Sequence, residues 1–162
     1  MKHLADSRLA NVYLKPGEVF VSPTPTLVST VLGSCVSVTL FAPVARVGAM
    51  CHALLPMGKG PGGLRYVDSA VEFMCGKLAA VSGQPGGFDA KLFGGAAVLL
   101  AGGQEPAASV GGRNVAAALR VIERLGLNLV AFDTGGERGR KIFFNSCTGE
   151  VYLRPVRKSM AR

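Results

Sequence analysis

The strongest constraint on this chain is a glycine turn that ends in a cysteine and runs straight into two strand-like segments. Leu32-Gly-Ser-Cys-Val-Ser-Val-Thr-Leu-Phe41 is followed at once by Ala42-Pro-Val-Ala-Arg-Val-Gly-Ala-Met-Cys-His-Ala-Leu-Leu-Pro56. Val36, Val38 and Leu40 alternate with Ser37, Thr39 and Phe41, the period of a strand with one mostly apolar face. Val47–Leu55 is apolar almost throughout, as in a buried strand that ends before Pro56, and His52 is its one polar interruption. Two antiparallel strands joined around Pro43 would bring Cys35 and His52 face to face. Gly33 opens backbone conformations closed to other residues, and so allows the sharp turn that presents the thiol.

That pair has a chemistry. A thiolate is a nucleophile, and a neighbouring imidazole helps to generate it. Histidine accepts and returns a proton near neutrality. His3 lies in the terminal segment, which leaves His52 as the credible base. Backbone amides of the turn at Gly33, Ser34 and Cys35 could face a developing oxyanion. The upstream hydroxyls of Ser29 and Thr30 are candidates to orient the imidazole. Spacing alone leaves another reading open, in which Cys35 and His52 are ordinary core residues. Cys51 precedes His52 directly and should point to the opposite face of the strand. Cys75 lies in a helical pattern as a small buried hydrophobe, and Cys147 in the polar turn Asn145–Gly149. The four cysteines contain no C-x-x-C pair, so no zinc site or other metal is expected. Met1–Asp6 lacks the apolar core of an export signal, so reduced thiols and a cytoplasmic chain are expected.

Of 162 residues, 49% are hydrophobic and 17% charged, which places the chain among folded proteins. We expect a single α+β domain over 1–162, with its core at about 8–154 and a basic tail over 155–162. No apolar run reaches the roughly 18–20 residues of a membrane-spanning helix, so no membrane insertion is expected. The pattern predicts a short strand at Asn11–Leu14, no regular element across Pro23 and Pro25, and an extended Leu27–Leu32. A helix is predicted over 65–80, with Val67, Val71, Met74 and Leu78 on one face. A second is predicted over 114–125, capped by Asn114, with Val115, Leu119, Ile122 and Leu125 inward. Between them lie the apolar stretch Ala90–Leu100 and a Gly/Ala-rich loop. Leu127–Phe132, Lys141–Asn145 and Glu150–Arg154 read as strands, the last two as a hairpin.

Some segments carry two readings. The Gly58–Gly63 loop is placed to cover a site. Gly94-Gly95 fits neither a dinucleotide fingerprint nor a phosphate loop. Gly111-Gly-Arg-Asn114 is either a turn and cap or an anion-holding helix start. The net charge is +8, crowded toward Arg138, Arg140, Lys141, Arg154 and Arg157. Tryptophan is absent and aromatics do not interleave with these cations, so nucleic acid is not the expected partner. Arg138, Arg140 and Lys141 either steer toward an acidic protein surface or form a solvated basic turn.

An ordered set of residues across the chain carries a resemblance. It comprises Leu32-Gly-Ser-Cys-Val36, Pro43–Gly48, His52 with Leu54–Pro56, Arg65–Asp68, Lys91–Ala96, Gly112–Asn114, Asp133, Gly135-Gly136, Arg138–Lys141 and Thr148–Val151. In these residues the sequence resembles the CheD family of chemoreceptor glutamine deamidases. The resemblance implies a three-layer α-β-β sandwich similar to the catalytic domain of cytotoxic necrotizing factor. It implies Cys35 as nucleophile, His52 as base, and a third residue, typically threonine, six positions before the cysteine. That position is Ser29, which keeps the hydroxyl without the methyl that stiffens the rotamer. Ser29 is therefore expected to serve, with Thr30 as the rival. Thioester chemistry on receptor glutamines in the cytoplasm would need no cofactor, and a monomer is expected. The resemblance also implies an alternative role, a regulatory module that binds and stimulates the phosphatase CheC. A more distant rival is a generic thiol hydrolase.

Overall fold

The alternation read from Val36 to Phe41 becomes a central strand of a five-stranded sheet. The computed structural model describes residues 9–58, 63–97 and 105–157. Along the chain it contains β1 (Ala10–Tyr13), β2 (Val19–Ser22), β3 (Thr26–Leu32), β4 (Val36–Ala42), β5 (Val47–Cys51), α1 (Val67–Ser82), β6 (Asp89–Gly94), α2 (Val110–Arg124), β7 (Asn128–Thr134), β8 (Arg140–Asn145) and β9 (Val151–Pro155). One sheet has the order β2-β5-β4-β6-β7 and the other the order β1-β3-β8-β9.

Side-chain alternation makes the layers. Val36, Val38 and Leu40 of β4, Val47, Ala49 and Cys51 of β5, and Ala90 and Leu92 of β6 face the helices. They pack on Val67, Val71, Met74 and Leu78 of α1 and on Ala117, Ala118, Val121 and Ile122 of α2. The opposite face of the same sheet presents Met50 and Phe93 to Val28, Leu32, Ile142 and Phe144 of the four-stranded sheet. Helices, sheet and sheet form one α+β domain of three layers, as expected.

Several expectations change in detail. α2 begins a turn earlier than its apolar pattern suggests, because Ser109 caps it: the Ser109 hydroxyl accepts from the Gly112 amide at 3.0 Å. Asn114 is therefore not the cap but a fully buried residue in the second turn, and Leu119 faces outward. The inward stripe is Gly111, Asn114, Ala117, Ala118, Val121 and Ile122, small enough for α2 to lie close on the sheet. β2 was not foreseen; its four half-buried residues pair with β5. The stretch Ala90–Leu100 ends as a strand at Gly94. The tail begins later than residue 155, since Pro155 closes β9 and the Val156 amide donates to the Gly139 carbonyl at 3.0 Å. His3, residues 59–62 of the predicted covering loop, residues 98–104 and the chain from Lys158 lie outside the described residues.

Candidate active site

Beyond the end of the β4–β5 ladder the two strands meet once more. Val36 and Ala53 exchange both backbone hydrogen bonds, at 3.0 and 2.9 Å. This register sets Ser37 opposite His52 and Cys35 opposite Leu54. Cys35 and His52 are thus diagonal cross-strand neighbours, positions that lie about 7–8 Å apart and within reach of a long side chain. Both turn toward the layer between the sheets. Cys35 packs there against the cluster that holds Leu32, Met50 and Phe93, and Cys51 points the other way into the helix layer.

The imidazole is held from behind. His52 is buried, and its Nδ1 lies 2.7 Å from Thr30 Oγ1. The same hydroxyl lies 2.7 Å from the Leu14 carbonyl oxygen. A carbonyl only accepts, so the single hydroxyl proton of Thr30 goes to Leu14. Thr30 must then accept from His52, and Nδ1 carries the ring proton. Nε2 is left with a free lone pair, the arrangement a general base requires. Here the expectation from position is corrected. Ser29 sits opposite Phe143 and Thr30 opposite Ile142, and residues paired across a sheet share a face. Thr30 therefore points inward to His52, while Ser29 points outward, away from the ring. The orienting hydroxyl is five positions before the cysteine, not six.

The cysteine turn is held through its carbonyls. The Gly33 oxygen accepts from Ala96 N at 2.9 Å and the Cys35 oxygen from Gly95 N at 2.8 Å. The Ser34 oxygen accepts from Asn114 Nδ2 at 3.0 Å. Asn114 Nδ2 also donates to the Leu54 oxygen at 3.0 Å, so one buried carboxamide ties the cysteine turn to the histidine segment. Among the described residues, no other residue accepts from the amides of Gly33, Ser34 or Cys35. Sequence reasoning missed Gly94–Ala96 and Asn114 as parts of the site. The available signal was a pair of glycines closing a strand, and an amide side chain inside a helical pattern.

Burial sets the resting protonation. It pushes the Cys35 thiol above its ordinary value near 9, opposed by the thiol's own backbone amide. It holds His52 below 6.5, opposed by the Leu14 carbonyl. Both shifts favour a neutral thiol beside a neutral imidazole. No hydrogen bond joins the two among the described residues, a looseness common in sites without substrate. Cys51 is pushed up to about 12 by burial, which leaves it inert. Cys75 and Cys147 are far along the chain from the turn, on α1 and in the β8–β9 turn.

The basic trio does not form one patch. Arg140 faces inward, its Nη2 donating to the Gly135 oxygen at 2.8 Å and its Nε lying 3.1 Å from Asp133. Arg138 is exposed in the loop before β8. Lys141 lies over the Phe143 ring on the outer face, with Arg154 on the same ring. Among the described residues no group of His, Cys, Asp or Glu could hold a metal, and no helix is long and apolar enough to cross a membrane.

Known proteins share this sequence over most of its length. A family profile described as CheD chemotactic sensory transduction matches residues 54–155. The chain is 46% identical over 154 residues to a probable chemoreceptor glutamine deamidase CheD 2 of Geobacter sulfurreducens, covering 95% of both proteins. The chain belongs to the CheD family. Another CheD relative, from Maridesulfovibrio salexigens, is 37% identical, with 95% of this chain and 96% of the relative covered. A probable chemoreceptor glutamine deamidase CheD of Thermococcus kodakarensis is 39% identical over 145 residues, with 86% of this chain and 89% of the relative covered. The profile match begins after His52, so the CheD relatives, not the profile, span the cysteine–histidine region.

Proposed function

We propose that this CheD-family chain deamidates glutamine side chains of chemoreceptors to glutamate, with Cys35 as nucleophile and His52 as base. The supporting observation is the Thr30 hydroxyl, which leaves His52 Nε2 unprotonated on the face shared with Cys35. His52 takes the thiol proton as Sγ attacks the carboxamide carbon. The oxygen of the tetrahedral adduct is received by the amides of Ser34 and Cys35. His52 then gives its proton to the departing nitrogen, and ammonia leaves a thioester. Water, deprotonated by His52, attacks the thioester and releases glutamate and the thiol. Thr30 stabilises the imidazolium formed twice in the cycle by accepting from Nδ1. In this reading the protein works in the cytoplasm beside receptor cytoplasmic domains. No observation favours a CheC-binding module over this reading.

The test uses a purified chemoreceptor cytoplasmic domain and reads glutamine-to-glutamate conversion in its peptides by mass spectrometry. Wild type should convert specific glutamines, and Cys35→Ala should lose on the order of 10³-fold or more, as expected for loss of a nucleophile. Unchanged receptor glutamines with wild type would refute the assignment.

A further inference from the structure

Asn114 belongs to no part of the mechanism above, yet among the described residues its side chain is hydrogen-bonded to both segments of the site. It is fully buried in α2, and its two amide protons go to the Ser34 and Leu54 carbonyls. Among the described residues its own buried oxygen has no partner, a cost that stability alone does not explain. The two contacted carbonyls have different consequences. Leu54 follows His52 by two residues, so the bond fixes the course of the chain beyond the base. The Ser34 carbonyl shares a planar, trans peptide unit with the Cys35 amide, so the two point in opposite directions. Holding the oxygen against α2 therefore aims the Cys35 N–H away from α2.

We propose that Asn114 is a positioning residue that orients the Cys35 amide as an oxyanion donor by pinning the Ser34 carbonyl. Neighbouring peptides are fixed differently. The Gly33 carbonyl is held by the Ala96 amide and the Cys35 carbonyl by the Gly95 amide, both backbone donors that do not depend on a side chain. The peptide between Ser34 and Cys35 alone depends on a side chain. That peptide turns about the Ser34 ψ and Cys35 φ torsions. Without Asn114 the unit can flip, which turns the oxygen toward the place where the oxyanion forms. The same amide interacts with its own thiol, so a flip also removes a donor from the thiolate.

This inference rests on the proposed deamidase reaction for its catalytic readout, and a second readout is independent of any receptor. Wild type, Asn114→Ala and Asn114→Asp are compared for the pH profile of Cys35 alkylation by iodoacetamide, followed on the Cys35 peptide. Each is also compared for kcat and KM on the receptor domain, with circular dichroism to confirm folding. The midpoint of alkylation should move to higher pH in the folded variants. The kcat should fall about 10- to 100-fold, less than the loss of an oxyanion donor outright, with KM within about two-fold. A folded variant whose alkylation profile matches wild type overturns the proposal, whatever its activity. Failure of both variants to fold also overturns it, since Asn114 would then serve stability. If wild type converts no receptor glutamine, the deamidase reading fails, while the alkylation profile still decides Asn114.

Discussion

The two halves of the site are held by opposite strategies. The turn at 33–35 is gripped by its backbone, three carbonyls in succession going to Ala96, Asn114 and Gly95. His52 is gripped by its ring, through one hydroxyl that is itself anchored to the Leu14 carbonyl. In the proposed reaction a thiol has no ring or tautomer to orient, so fixing the peptide planes suffices. An imidazole base works only with its proton on the other nitrogen, so the proposed role of His52 requires a directional side-chain contact. The first arrangement should fail through steric damage to the backbone, and the second through loss of a single oxygen atom.

The backbone grip gives the largest expected effect. Gly94 has a φ of +105° and Gly95 of +70°, and a Cβ at Gly94 would overlap the Cys35 carbonyl oxygen. A Cβ at Gly95 would meet the Gly111 oxygen at 2.8 Å. Gly94→Ala should therefore cost more than the 1–3 kcal/mol, roughly, of left-handed strain alone, and abolish activity. Gly83 is the control: its φ is +74°, but nothing lies within 4 Å of a Cβ there. Gly83→Ala should cost about 1–2 kcal/mol and leave activity unchanged. Thermal melts and deamidation rates measure both, and equal melting losses at the two glycines would refute the close approach.

The ring grip gives an intermediate effect. Thr30→Ala frees the His52 tautomer and should lower kcat by about 10²-fold, the lower end of what a positioned base contributes. It also leaves the buried Leu14 carbonyl without its donor, at a cost of about 1–3 kcal/mol. Thr30→Ser restores the oxygen and should recover most of the rate. Ser29→Ala, one residue away on the opposite face, should stay within about two-fold of wild type. A kinetic loss at Ser29 exceeding that at Thr30 would reverse the assignment.

The contrast also marks what could be read without coordinates. The thiol, the base and their two strands follow from alternation around one turn, because period-two patterning is local. The same alternation forbids Ser29 and Thr30 from sharing a face, but which of them faces inward depends on β3 pairing with β8 more than a hundred residues later. Asn114 was legible only as a polar residue near a helix start. Its burial comes from α2 starting at Val110, one turn ahead of its apolar pattern, and from the small residues that let α2 approach the turn. Arg140 read as a member of an exposed cluster. Its register opposite Leu32 turns it into the layer between the sheets, where it bonds Gly135.

The smallest effect is the pH dependence between the two ordinary pKa values, where the halves act as one unit. The proposed reaction needs a protonated thiol beside an unprotonated imidazole. His52 is held below 6.5 by burial, so it stays a neutral base as pH falls to that point, and the acidic limb lies lower. Cys35 is raised above 9 by burial, so the proton is lost only beyond that point, and the alkaline limb lies higher. kcat/KM should therefore vary by less than about two-fold from pH 6.5 to 9. Stability follows the same groups with opposite signs. Below 6.5 the unfolded chain binds a proton that folded His52 refuses, so stability falls with falling pH until the folded value is passed. Above 9 the unfolded chain loses a thiol proton that folded Cys35 retains, so stability falls with rising pH. Thr30→Ala should move the acidic limb while leaving the alkaline one in place, because Thr30 contacts only the ring. A bell whose two limbs both fall inside 6.5–9 would show a resting thiolate–imidazolium pair in place of the neutral one.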